Sequence, residues 1–289
     1  MAYQGTPTFL KLLLGNSLRE LREASRMEVQ EVADALKVSH SKVRRHEGGQ
    51  NAVSHSDLMM YIQVYGQLLD KEKTDRLHML RELGARRSNW HGLGPSSEVA
   101  PNIRDLAEAE GLAAQVATWQ PLVIPGILQT RAYTEELISD TTEPDPPRLA
   151  EELVVVREER KARVLRAEDP LRVWAILSEA VVRTRVGGKR PIMREQVQHL
   201  LALSDRSHVV LQILPHADAH YGSPAPFMLI DFPTELGMAP VAYAEGIEEM
   251  FLTDVNRVAS LQERMNRLRS QAMSQHDSRE FLHGLLKDL

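Results

Sequence analysis

"VSHSKVRRHEGG", Val38 to Gly49, decides how the first part of this chain folds. Ser39 can cap a helix, because its hydroxyl accepts a free backbone N–H from the first turn. Lys42, Arg44 and Arg45 then put three positive charges on a short segment. Gly48 and Gly49 end it, as glycine does at helix C-termini. A basic helix from about residue 40 to Glu47 follows, and the question is what it holds.

Its neighbours answer in part. Upstream, Val29, Val32, Ala33 and Leu36 repeat at helical spacing. Lys37–Ser39 leaves a three-residue turn between the two helices. A small residue at Ala33 lets the helices cross closely, and Val38 and Val43 plug the angle between them. This spacing predicts a helix-turn-helix, whose second helix enters the DNA major groove N-terminus first. The exposed face would be His40, Ser41, Lys42, Arg44 and Arg45, with Arg able to donate two bonds to a guanine edge. The periodicity alone also fits a solvated charged helix. Cap, turn, plug and terminal glycine in register favour DNA.

Further out, Leu14, Leu18 and Leu21 predict a first helix. Ser54 caps a fourth, with Leu58, Ile62 and Tyr65 inward. "DKEKTDRLHMLRELGARR" predicts a fifth. Residues 86–101, "RRSNWHGLGPSSEVAP", cluster Gly, Pro and Ser as a linker does. Beyond it the pattern mixes helices with β-branched and aromatic runs: "LAAQVATWQPLVIP", "LRVWAILS", "HVVLQILP", "PFMLIDF" and "APVAYAE". The expected organisation is an all-α helix-turn-helix domain of about five helices over 1–85, the linker 86–101, and an α+β domain over 102–289 with a mostly antiparallel sheet.

The totals agree. The chain has 289 residues, 43% hydrophobic and 26% charged, within the usual globular range. The net charge of −5 is uneven: residues 1–90 carry 14 Lys/Arg against 11 Asp/Glu, so the acidity lies in the remainder. A mildly basic head points to an anionic partner there. With no cysteine there is no disulfide framework, thiolate metal site or cysteine nucleophile. No stretch approaches the roughly 18 apolar residues of a membrane span. The N-terminus lacks the basic region and cleavage site of a signal peptide. A cytoplasmic location is expected, nucleoid-associated when DNA-bound.

Residues 18–66 resemble the XRE (lambda-repressor/Cro-like) helix-turn-helix family, whose pattern runs "LR.LR", "elA..lgvS.s.vsr.E.G" and a fourth helix ending in "yg". The resemblance implies that His40, Ser41 and Arg45 read bases and that Lys42 and Arg44, beside them, meet phosphates. Glu47 and Gly49 match its "E.G". Two positions depart: Val29 stands where the family often has a phosphate-binding Gln, and His46 replaces an aliphatic plug. One copy reads too few base pairs for useful specificity, so a homodimer on two related half-sites of double-stranded DNA is expected.

"PLVIPGILQTRAYTEELI", Pro121–Ile138, resembles the "vPGLLQTeaYA" signature of the actinobacterial Scr-type antitoxin-like regulators. The likeness continues through "VVREERKARVL", "ILSEAVVRTRVGG", "VVLQILP" and "VAYAEG". It implies a transcriptional regulator whose C-terminal domain binds a small protein from a neighbouring gene or a small-molecule effector. The alternative is an antitoxin-like module that sequesters such a protein, with DNA binding only autoregulatory. Candidate pocket residues are Gln129 and Thr130, where a helix start offers free N–H groups; Glu179 and Arg183, four apart after a strand; and Tyr243 and Glu245 at a strand end. Arg157, Arg160 and Arg163 read as a solvated stripe paired with Glu158 and Glu159. His216, Asp218 and His220 alternate but sit in a loop between Pro215 and Gly222. No metal, cofactor or catalytic residue is expected, and no nucleotide loop, zincin motif or catalytic triad is present.

Overall fold

The computed structural model of the chain describes residues 9–85, 99, 101–141, 147–216, 225–245 and 250–289. The chain divides into two compact units, Met1–Asn89 and Trp90–Leu289. Most of the expected linker lies outside the described residues. Its last residue, Pro101, already belongs to a helix, and its Val99 is buried against Ala107 and Val156.

The N-terminal unit comprises α1 (Phe9–Ala24), α2 (Val29–Leu36), α3 (His40–Glu47), α4 (His55–Val64), a 3-10 turn (Gly66–Leu68) and α5 (Lys71–Ala85). Side-chain caps set the starts. Ser39 Oγ accepts from Lys42 N, Ser54 Oγ accepts from Asp57 N, and Glu28 and Glu31 form a reciprocal capping box before α2. Lys37 ends α2 in the left-handed region at φ 54°, and Val38 N–H closes on Ala33 O at 2.9 Å. Leu14, Leu18, Val32, Ala33, Leu36, Val43, Leu58 and Tyr61 form the core. Val43 is the plug between the helices; Val38 is only half-buried, so its contribution is chiefly that backbone bond.

In the second unit, α6 (Pro101–Leu112) leads into β1 (Gln115–Gln120), α7 (Arg131–Thr141) and α8 (Pro147–Leu165). Then come β2 (Arg172–Ser178), α9 (Glu179–Arg183), α10 (Arg190–Ser204) and β3 (Val209–Leu214). β4 (Phe227–Asp231), β5 (Val241–Ala244), β6 (Met250–Leu252), α11 (Val255–Gln271) and α12 (Gln275–Asp288) complete it.

The sheet order is β3-β2-β1-β4-β5-β6. It is mixed. β1–β2 and β2–β3 are parallel, whereas β1–β4, β4–β5 and β5–β6 are antiparallel. The sheet is mostly antiparallel as expected, with three of its five pairings antiparallel, but one half, formed by β1, β2 and β3, is parallel. There helices cross over between parallel strands, and β1 and β2 are buried along almost their whole length. Trp119, Ile176, Phe227 and Leu229 pack with Met265 and Leu268 of α11. β3 is covered at its edge: Met273 N–H donates to Ile213 O, and Ile213 N–H to Ser278 Oγ, each at 2.9 Å.

Candidate nucleic-acid interface

α3 is fastened from behind, which decides what it shows in front. Glu47, its last residue, is buried. Its carboxylate takes two bonds from Arg22 of α1, at 2.7 and 3.1 Å, and its carbonyl accepts from Arg19 Nη2 at 2.8 Å. The bond to Glu47 is the main reason the Arg22 guanidinium holds its proton more tightly than usual; burial works against it. The helices approach so closely at this point that no side chain fits at Gly15. A Cβ there would stand 2.7 Å from Glu47 O and still closer to His46 O. Gly49, at φ 67°, would put a Cβ 2.7 Å from Leu12 Cα. Its identity thus follows from both backbone conformation and space.

His46 points inward and is 2% exposed. Its Nδ1 lies 3.2 Å from Tyr61 Oη and its Nε2 4.0 Å from Asp57. Burial lowers its pKa below the ordinary value, and Lys42 and Arg45 add to this, while the Asp57 charge opposes. The aliphatic plug is thus replaced by a neutral ring with one polar partner.

The front of α3 carries His40, Ser41, Arg44 and Arg45, with Ser41 and Arg44 exposed and His40 and Arg45 half-exposed. Ser41 Oγ lies 3.1 Å from the capping Ser39 Oγ, and Arg44 Nε donates to His40 Nε2 at 3.3 Å. Lys42 differs from the others. Its ammonium lies 2.8 Å from Asp57 at the start of α4. Burial tends to raise the Asp57 pKa, but hydrogen bonds from Lys42 and Ser54 outweigh it and hold the carboxyl below its usual range. Lys42, expected at phosphate, thus also ties α3 to α4.

Gln129 and Thr130 are internal. Both are buried. Gln129 donates to Ile124 O at 2.6 Å and accepts from Thr134 Oγ1 at 2.9 Å. Thr130 N–H donates to Gln196 Oε1 at 2.7 Å, and Thr130 Oγ1 accepts from Tyr133 N at 3.2 Å. Gln196 closes the loop by donating to Leu128 O. The expected ligand-binding helix start is corrected: its free N–H is filled by a glutamine 66 residues away.

Residues 13–77 match a helix-turn-helix domain, and residues 103–284 match the family described as a domain of unknown function (DUF5753). The chain belongs to the DUF5753 family. No curated protein and no solved structure matches it.

Within the DUF5753 unit each of the remaining pocket candidates has partners of its own. Glu179 binds Arg183 at 2.6 Å and accepts from His216 N at 3.0 Å; that backbone bond, with Arg183, lowers its pKa against the effect of burial. Arg183 lies over the Phe281 ring. Tyr243 is buried on β5 against Phe251. Glu245 accepts from Gln120 Nε2 at 3.1 Å. Asp218 and His220 lie outside the described residues. Among the described residues no cluster of His, Asp and Glu could hold a metal, and no helix is long and apolar enough to cross a membrane.

On α8 the expectation of a solvated arginine stripe is corrected at Arg160. It is buried, and Nε and Nη2 bind both oxygens of Glu110 on α6 at 2.6 and 2.8 Å. Burial disfavours its charge, and Glu110 restores it, leaving the pKa raised. Gly126 gives the guanidinium room, since a Cβ there would come within 3.3 Å of Nη1. The residue types hint at this pairing. Nothing in their spacing does, because the partners are 50 residues apart.

Proposed function

We propose that this DUF5753 protein is a sequence-specific DNA-binding transcription regulator, with α3 laid in the major groove. One observation carries the reading. α3 is pinned by its C-terminal end through Glu47 and Gly15, while its N-terminal turns present His40, Ser41, Arg44 and Arg45 outward. A reading helix needs that combination, rigid at the base and polar at the tip.

In this reading Arg45, Ser41 and His40 meet base edges. Arg44 meets phosphate, and Lys42 reaches phosphate only while shared with Asp57. Two copies would bind related half-sites as a homodimer. The DUF5753 unit would supply dimerisation and sense a small protein or effector, in the manner of the antitoxin-like regulators that the sequence resembles. Such a ligand acts by binding the DNA-competent and incompetent states unequally. A cytoplasmic setting follows from this role.

The test is retention of sheared genomic DNA by the purified protein, sequencing of the retained fragments, and a salt titration on the best one. An inverted repeat bound by the wild type and lost with Arg45→Ala, with a steep negative salt slope, supports the reading. Sequence-blind retention that Arg45→Ala leaves unchanged refutes it.

A further inference from the structure

α1 has two faces with different duties. Gly15, Arg19 and Arg22 hold α3. Ser17, Glu20, Leu21 and Ala24 lie about half a turn away around the same helix. These four form one wall of a cavity of about 270 Å³. Leu68, Leu69 and Leu77 make its apolar remainder, and Lys73 and Arg76 of α5 line it too.

The polar groups of this cavity are unequal. Lys73 Nζ donates to Leu68 O at 3.2 Å, and Ser17 Oγ to Leu13 O at 3.1 Å. Arg76 Nε is buried and has no hydrogen-bond partner. A buried guanidinium N–H without an acceptor is costly, and native folds seldom leave one so. Nε itself is closed to solvent, so an acceptor entering from outside meets the half-buried guanidinium at Nη1 and Nη2, which have no partner among the described residues. Two cations against Glu20 leave the lining positive. The volume falls just below the common range of about 300–1,000 Å³ for ligand pockets, which suits a small molecule and not a peptide.

We propose that this cavity binds a small anion with an apolar body, an aromatic or short aliphatic carboxylate. Its carboxylate meets Arg76, and its body lies on Leu21, Leu69 and Leu77. Because α1 is the shared wall, occupancy acts on the helix that grips α3 at Glu47. Any effect of the ligand on DNA affinity is then matched by an equal effect of DNA on ligand affinity.

The experiment titrates the full-length protein with 1-naphthoate, followed by its fluorescence, and with 1-naphthamide as the neutral counterpart. It needs no DNA, so its outcome stands apart from the operator reading. Saturable 1:1 binding of naphthoate is expected, with naphthamide weaker by about ten-fold or more, the worth of one charge-assisted bond. Arg76→Gln should weaken naphthoate by a similar factor and leave naphthamide unchanged. Ala24→Trp, at an exposed wall position near the end of α1, should fill the cavity and abolish both. Circular dichroism and thermal melting confirm that both variants fold. Failure to saturate, equal affinity for acid and amide, or binding indifferent to either substitution each overturns the proposal. So does a concentration-dependent dimer that Ala24→Trp dissociates while naphthoate fails to bind, because the groove then belongs to a second copy of the chain.

Discussion

Among the described residues each unit contains a two-bonded arginine–glutamate fork, fully buried in the DUF5753 unit and partly exposed at its arginine in the N-terminal unit, and the two do different work. In the N-terminal unit Arg22 grips Glu47, the last residue of the helix that faces DNA in the proposed function. In the DUF5753 unit Arg160 grips Glu110, joining α6 to α8. Both are two-bonded, both stand near a glycine that permits close approach, and both link residues far apart in sequence. The first aims a surface, whereas the second only closes a core. A buried ion pair is weak evidence for net stability, because desolvation cancels much of the attraction. Losing one partner is another matter, since it strands the other charge. The comparison therefore makes unequal predictions for the two forks.

The largest effect is expected at the DUF5753 fork. Glu110→Ala leaves a buried guanidinium without its counter-charge, at a cost of about 3–5 kcal/mol. Denaturant unfolding followed by tryptophan fluorescence, to which Trp119 and Trp174 report, would measure it. Operator binding per folded molecule should not change. Replacing both partners, Glu110→Leu with Arg160→Met, should recover most of the loss. If the double variant is as unstable as the single one, the fork is more than a satisfied pair.

Gly15→Ala comes next. Alanine is favoured over glycine inside a helix by about 1 kcal/mol. Here its methyl would meet backbone carbonyls of α3, which cannot rotate away as a side chain can. Crowding of this kind costs about 1–3 kcal/mol or more, so the usual sign reverses and the N-terminal unit loses stability. Hydrogen exchange resolved by peptide would place the loss in α1 and α3 and leave the sheet protected. A stabilised variant would show that α1 and α3 can separate without consequence, and the idea of a pinned helix would fail.

Arg22→Gln is smaller in stability and larger in function. The pair is partly exposed on the arginine side, at 14% against 6% for Glu47, so water can solvate part of what is lost. A cost of about 1–3 kcal/mol is expected. Arg19 still holds the Glu47 carbonyl, so α3 should survive but lose its fixed direction. Operator affinity should fall by more than the unfolded fraction explains, and discrimination between operator and random DNA should fall with it. Equal loss on both DNAs would make the fork structural only, like its counterpart.

These forks also mark the limit of what a sequence shows. Ser39, Ser54 and Gly48 act within four residues of themselves, so caps and ends of α3 and α4 were legible. Val43 and Leu58 follow helical spacing and were legible for the same reason. Arg22, Gly15 and Arg160 take their meaning from partners tens of residues away, and no local period records that. Gln129 and Thr130 illustrate the opposite error. Their position before a helix suggested an open ligand site, but Gln196 on α10 occupies it. In the sheet, β1 to β5 were legible as apolar runs. The parallel half was not, because strand order is set by which helices cross over. β6, three residues long, was too short to announce itself.

The last prediction separates the units by pH. His46 is buried and neutral, and its pKa is lowered, burial being the main cause. A lowered pKa in the folded state means the unfolded chain takes up the proton first. Stability from this site is therefore complete above the unfolded value, about 6.5, and is lost as pH falls below it toward the folded value. Protonation would also place a cation between Lys42 and Arg45, at the base of the proposed reading helix, so α3 should loosen first. His199 in the DUF5753 unit is shifted in the same direction, again chiefly by burial, so acid weakens both units. His46→Leu distinguishes them. It restores the aliphatic plug of the resembled family, at the cost of the Tyr61 partner. Peptide-resolved exchange from pH 7.5 to 5.5 should then show a flat profile in α3 and α4, with the decline around α10 retained. If α3 in the variant still loosens below pH 6.5, the sensitivity belongs to another group. Asp57 is the least suited of these, since its own lowered pKa keeps it ionised through that window.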